Sequence, residues 1–199
     1  MRRLSDSGDA STYALQCDVH TRDGKLVEAG RTYLRGVVES STLATARDTG
    51  IAAPPESEGR RVDYLERPAP FYLGPSLRTL ETFWSTPGAA YGKIIAPPLD
   101  ALAGAEQAAK WLIPSAVLDA CLYTVGLWAW QSIRPGTALP KSFATVKLGR
   151  LPRAGESCIV RAESTEQTAS EAVFNFVLCG DDGDVLIDVE GYRVVWLGA

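Results

Sequence analysis

The chain has 199 residues, 46% of them apolar, with 20 Lys and Arg against 24 Asp and Glu, a formal net charge of -4 and one histidine. That is enough for one substantial domain, or one domain with an appendage, and the scattering of the basic residues excludes nucleic acid as the expected partner. Cys17, Cys121, Cys158 and Cys179 stand far apart with no C-x-x-C pair, so neither a metal site nor a disulfide framework is expected, and the thiols read as reduced, in the cytoplasm.

In chain order, "MRRLSDSGDAST" (1–12) lacks the apolar run of a signal peptide and reads as a disordered or tag-like start. Residues 13–38 read as a β-hairpin around Asp23-Gly24, a pair that tolerates positive φ in a tight turn. Two strands alone bury too little to be stable, so the hairpin must pack on something else. Residues 39–63, rich in Ser, Thr, Ala, Pro, Gly and charge without an apolar period, read as a linker.

From 64 to 199 the pattern is dense. "LRTLETFW" (77–84) and "AAYGKIIA" (89–96) read as strands flanking Pro87-Gly88. A helix follows Pro114, a residue suited to a first turn because its missing N–H would be orphaned there anyway. Strands are expected at 139–149, 157–165, 171–180 and 184–197, the last two joined by a turn at Asp182-Gly183. A long apolar helix followed by antiparallel strands gives an α+β fold, in which a sheet curls around one central helix.

The helix raises the functional question. "WLIPSAVLDACLYTVGLWAWQSI" (111–133) is the most apolar stretch of the chain and holds Asp119 in its middle. The acid and Pro114 rule the stretch out as a membrane span. At 100° per residue Val117, Cys121, Val125 and Trp128 share one side, while Asp119, Leu122, Tyr123, Gly126 and Trp130 share the other. An ionised carboxylate in an apolar stripe is costly unless paired or chemically employed, and a macrodipole contribution of roughly 0.3–1 kcal/mol near a first turn is too small to offset that cost alone. The plain alternative is a structural acid near a helix start.

Three segments resemble the dehydratase domains of modular and iterative polyketide synthases, which have a double hotdog fold. "FYLGPSLRTLETFW" (71–84) is similar to the family's Tyr-Gly-Pro-x-Phe segment, with Leu73 inserted and Leu77 in place of the Phe. "IPSAVLDACLY" (113–123) is similar to the His-Pro-x-x-Leu-Asp-x-x-x-Gln/His segment of the hotdog helix, with Pro114, Leu118 and Asp119 in register. "ALPKSFATVKLGR" (138–150) resembles the Leu-Pro strand after that helix. The resemblance covers roughly 64–199 as the second, C-terminal hotdog, and the hairpin at 13–38 resembles the closing strands of a first one.

The resemblance implies elimination of water from a 3-hydroxyacyl chain on the phosphopantetheine of an acyl carrier protein, without a metal or other cofactor. Asp119 takes the role of the family's acid and Tyr123 supports it through its hydroxyl. Tyr72, Gly74 and Pro75 shape the tunnel mouth, although Tyr-x-Gly-Pro is also an ordinary turn; Leu122 and Trp130 line the acyl side. Acyl carrier protein and other synthase domains are the implied partners, and because hotdogs pair, a homodimer is predicted. The family's basic histidine motif is missing. His20 opens "HTRDGKLVEA", a His-x-x-x-Gly-x-x-x-x-Ala string, but beside a hairpin turn an exposed strand-end histidine is the simpler reading. A non-catalytic hotdog that binds or shapes the polyketide, similar to product-template domains, is the alternative. Cys121 lies on another helix face with no histidine near it in sequence, which speaks against a nucleophile.

Overall fold

The computed structural model describes residues 2–7, 9–39, 51, 54, 58–65, 73–101, 104, 106 and 114–197. The chain divides into two compact units, Met1–Thr45 and Ala46–Ala199.

The first unit is a three-stranded antiparallel sheet of order β1-β2-β3, with β1 at Arg2–Ser7, β2 at Ala10–His20 and β3 at Leu26–Glu39. The expected hairpin is there, but the start read as disordered or tag-like forms β1. "RRLSDS" shows no alternation because the strand is held by its backbone ladder to β2 and by Arg3, whose guanidinium donates to the Ser11 hydroxyl at 2.8 Å. The turn is also wider than a two-residue one. Gly24 N–H donates to the Thr21 carbonyl, Thr21 and Lys25 close the loop, and Gly24 alone takes positive φ (85°). That is a type I turn followed by a left-handed glycine, a common three-residue hairpin loop.

In the second unit one helix packs on an eight-stranded antiparallel sheet, in the order β4-β5-β6-β9-β10-β11-β7, with β8 also paired to β11. The strands are β4 (Arg60–Arg61), β5 (Leu80–Ser85), β6 (Ala90–Ile95), β7 (Ala138–Ser142), β8 (Thr145–Leu148), β9 (Ser157–Gln167), β10 (Glu171–Cys179) and β11 (Val185–Trp196). The helix α1 spans Ser115–Trp128 and lies against β5, β6, β9 and β10. Alternation along the strands puts Ile94, Val160, Phe174, Phe176, Leu178 and Val189 inward, where they meet Val117, Cys121 and Val125 of α1. Lys147, Asp188, Glu190 and Arg193 form ion pairs at the more open positions.

Several boundaries differ from expectation for local reasons. Within the linker, Arg60–Arg61 pairs with β5. The strand expected from 77 begins only at Leu80, because Pro75–Leu77 forms a 3-10 turn. The strand expected at 139–149 is two strands. Gly191 (φ 66°) bulges out of β11 opposite the break, where Ala144 N–H donates to Glu190 and Gly191 carbonyls and the Asn175 side-chain oxygen receives Gly191 N–H. Pro114 is the cap of α1 rather than its first residue, with Val117 and Leu118 N–H on its carbonyl. Asp119 is the fifth residue of α1, beyond the first turn, where the macrodipole offsets little of its burial. After Trp128 the helix widens into a π-turn, Ala129–Ile133, closed by Arg134 N–H on the Ala129 carbonyl at 2.9 Å. Among the described residues no helix is long and apolar enough to cross a membrane.

The helix meets the sheet at a backbone-close contact. A Cβ on Gly92 of β6 would lie 2.5 Å from Thr124 Oγ1 and 2.6 Å from Leu80 Cδ1. Thr124 is held in place by its hydroxyl's bond to the Ala120 carbonyl at 2.9 Å. Gly92→Ala is accordingly expected to cost about 1–3 kcal/mol through overpacking, read as a drop in thermal midpoint by circular dichroism; an unchanged midpoint would show that the helix can shift freely.

Candidate active site

Asp119 is half-buried on α1, and its Oδ2 is the one buried side-chain nitrogen or oxygen with no hydrogen-bond partner among the described residues. Native folds rarely leave such an atom unsatisfied, because it costs about 1–3 kcal/mol. Burial pushes the carboxyl above its ordinary value of 3.8, the direction that eases protonation.

The neighbours are aromatic. Tyr123, one turn along, is 6% exposed, and its ring stacks on Tyr64 at 5.5 Å between centroids and 18° between planes. Tyr64 is itself fixed, since its hydroxyl donates to the Leu80 carbonyl (3.0 Å) and accepts from Leu80 N–H (2.9 Å). Thr79 ties the same strand start to the helix by donating its hydroxyl to the Ala116 carbonyl at 3.2 Å. Tyr192 of β11 completes the surroundings, stacked on Phe143 at 5.0 Å and edge-on to Phe176 at 6.1 Å. Burial, more than any other cause, raises the phenols of Tyr64 and Tyr192, with Tyr123 next among the raising causes at Tyr64 and Asp119 at Tyr192, so both stay protonated.

The expected residues fall into three groups. Asp119, Leu122 and Tyr123 share α1, and Leu118 and Leu122 flank the acid as half-buried side chains. Tyr123, expected to support the acid, stacks its ring on Tyr64 one helical turn from Asp119. Gly74 caps the 3-10 turn and Pro75 opens it, while Trp130 sits half-buried on the π-turn. Tyr72, like Trp111, lies outside the described residues. His20 belongs to the other unit, where it is the exposed last residue of β2, paired with Leu26 beside the turn.

Two phenols near the acid, Tyr64 and Tyr192, escaped sequence reasoning. Tyr192 had a signal, since 192, 194 and 196 alternate inward along β11; Tyr64 had none, lying outside every expected strand and helix. Of the other tryptophans, Trp84 is buried in β5, Trp128 packs on Phe174 at 5.8 Å and Trp196 donates its indole N–H to the Arg134 carbonyl. Those three serve the core. Cys121 is fully buried and its thiol is pushed well above its ordinary range, chiefly by burial, which removes the thiolate a nucleophile needs. Glu156, Asp181 and Asp182 bring carboxylate oxygens within 4.8 Å of one another. The Arg150 guanidinium occupies that cluster, at 2.8 Å from Glu156 and 2.6 Å from Asp182, in the place a cation would take.

Residues 64–199 match the family model described as "Polyketide synthase dehydratase N-terminal domain". The chain belongs to the polyketide synthase dehydratase family. Its hotdog fold is shared with solved dehydratases. The dehydratase domain of RzxB from Pseudomonas fluorescens is similar with a TM-score of 0.63 at 17% identity, over 96% of this chain and 66% of that one. The dehydratase domain from the CurK module of the curacin synthase gives 0.68 at 19% identity, over 99% and 67%. A trans-acyltransferase polyketide synthase enoyl-isomerase gives 0.58 at 12% identity, over 93% and 71%. The chain thus spans about two thirds of the length of the dehydratases it matches. No curated protein matches it. In this dehydratase-family chain the "IPSAVLDACLY" segment places Asp119 on α1.

Proposed function

We propose that residues 64–199 form the acid-bearing half of a 3-hydroxyacyl dehydratase of polyketide assembly, with Asp119 as the acid. The observation that carries this reading is the unpartnered, buried Oδ2 of Asp119, raised toward the protonated form by burial alone. A base removes the α-proton of the acyl thioester. The released electron pair forms the Cα–Cβ double bond, the Cβ–O bond breaks, and the hydroxyl departs as water with the Asp119 proton. General acid assistance of this kind supplies about 10²–10⁴-fold. No histidine lies in 64–199, so on this reading the base comes from another chain segment or subunit. A form of the CurK dehydratase with one histidine replaced by phenylalanine is described as inactive, in keeping with a two-part site.

The substrate is an acyl chain on the phosphopantetheine of an acyl carrier protein, and no metal is required because the acid itself protonates the leaving group. The absence of a histidine from 64–199 favours one second reading, a hotdog that binds or shapes the polyketide without reacting. Incubation of the chain with a 3-hydroxyacyl carrier protein, followed by intact mass, separates the two: loss of one water establishes the dehydratase, and retained but unchanged substrate establishes the binding domain. The same reading makes the chain a homodimer, supported by the exposed Leu15, Leu34, Val37 and Val38 of the first unit. Light scattering tests this, and a clean monomer overturns it.

A further inference from the structure

We propose that Tyr192 is a second hydrogen-bond donor at the candidate active site, its phenol sharing the β-oxygen of a bound 3-hydroxyacyl chain with Asp119; the inference rests on the dehydratase reading and adds a residue to it. Tyr192 is 3% exposed and points inward from β11, where it pairs with Phe174 of β10. Its place is set from two directions. Gly191, just before it, bulges at φ 66° and is tied down by its N–H on the Asn175 side-chain oxygen at 2.9 Å. The ring lies flat against Phe143 at 5.0 Å, edge-on to Phe176 at 6.1 Å and tilted to Phe174 at 6.4 Å.

Those contacts occupy the ring and leave the hydroxyl. It makes no hydrogen bond to the described residues, whereas buried tyrosines ordinarily find a partner. Nor is it sealed in, because Asp119 Oδ2 is the one buried side-chain nitrogen or oxygen without a partner among the described residues. The phenol therefore opens on space that a water-sized group can enter. After burial, Asp119 is the one charged group that bears on it, so carboxyl and phenol border the same space. Tyr64, the other phenol near the acid, has its hydroxyl spent on Leu80.

The chemistry of the ligand suits two donors. An alcohol oxygen has two lone pairs; the protonated carboxyl of Asp119 meets one, and the phenol of Tyr192 meets the other. During elimination the Cα–H electron pair becomes the double bond, the Cβ–O bond breaks, and the oxygen takes the Asp119 proton and leaves as water. Tyr192 keeps its own proton throughout. Its O–H is aimed at the oxygen on which negative charge gathers, as a preset donor whose contribution grows as the bond breaks.

The test is equilibrium binding of 3-hydroxyoctanamide and of octanamide to the full chain, followed by ligand-observed NMR; the α-proton of an amide is too weakly acidic to be removed, so both ligands stay intact. The wild type is expected to bind the hydroxylated ligand about tenfold tighter, and Tyr192→Phe, which keeps the ring and its packing, to retain a preference of only about twofold. The thermal midpoint of Tyr192→Phe is expected to equal or exceed that of the wild type, since no hydrogen bond to the described residues is lost. A purely structural tyrosine would show the reverse, a lower midpoint with the preference intact, and that pattern overturns the proposal. Equal binding of the two ligands by the wild type overturns it too. A preference that depends on Tyr192, in a chain that dehydrates no 3-hydroxyacyl thioester, removes the dehydratase reading and keeps the Tyr192 contact. Water loss unchanged by Tyr192→Phe, with the preference intact, removes the Tyr192 contact and keeps the dehydratase.

Discussion

Asp119→Asn, assayed with whatever segment or subunit supplies the base, is expected to lower dehydration of a 3-hydroxyacyl thioester by about 10²–10⁴-fold, the contribution of a positioned acid. The isosteric amide keeps the shape of the site and removes the transferable proton. Stability is expected to move the other way. Asp119→Ala removes the unsatisfied Oδ2, whose burial costs about 1–3 kcal/mol, so the thermal midpoint rises by roughly 2–4 °C for each kcal/mol recovered. A residue whose loss harms turnover and helps folding is employed rather than structural. A fall in both would return Asp119 to the structural reading.

The pH dependence separates the same alternatives. Burial raises the Asp119 carboxyl in the folded state above 3.8, so between its unfolded and folded pKa the native protein binds more protons than the unfolded chain, and stability falls as pH rises through that window. Above the folded pKa the full penalty remains. Asp119→Ala is expected to flatten this slope, and turnover by the wild type is expected to decline as the carboxyl ionises. A slope retained in the variant would assign it to another group.

Arg150→Ala is expected to be the most damaging single change away from the site. Glu156 has a side chain only 1% exposed, and it receives both Nη groups of Arg150, at 3.0 and 2.8 Å, together with Arg153 N–H at 2.7 Å. Arg150 reaches on to Asp182 and Asp184, which ties the approach to β9 to the β10–β11 turn. Removing one partner of a buried pair strands the other charge, at a cost of about 3–5 kcal/mol. Because Arg150 is 28% exposed, the lower end applies, about 3 kcal/mol or roughly 6–12 °C in midpoint.

Acid should imitate the deletion. Hydrogen bonds from Arg150, more than any other cause, hold Glu156 at about 2 against its ordinary 4.5. Its contribution is full above 4.5 and is lost as pH falls from 4.5 toward 2. Urea unfolding across that range is expected to show the loss in the wild type and not in Arg150→Ala; equal losses in both would place the acid sensitivity elsewhere.

How much of this was legible in the sequence depended on where each signal resided. β9, β10 and β11 announce themselves by alternation of branched and aromatic residues, and α1 by an apolar run behind Pro114, so an α+β fold with a sheet around one helix could be read directly, while the hotdog came from the resemblance of three segments to a known family. The split between β7 and β8 could not, because its cause, Gly191, sits on the partner strand. β1 was hidden because a strand held by its backbone ladder needs no apolar period. At the site, Asp119 stood out as a charge where apolar residues were due. Tyr64 lies outside every element the sequence announces and reaches Tyr123 only through the fold.

The contact of the Gly92 backbone with the Thr124 and Leu80 side chains fixes where α1, and with it the acid, lies on the sheet. Leu118 and Leu122, which flank the carboxyl, take no part in that contact. On the dehydratase reading, exchanging them for larger or smaller residues is expected to change which acyl chains fit while the carboxyl keeps its place. In such a scaffold the range of chains accepted can drift through evolution, or be engineered, separately from the chemistry performed on them.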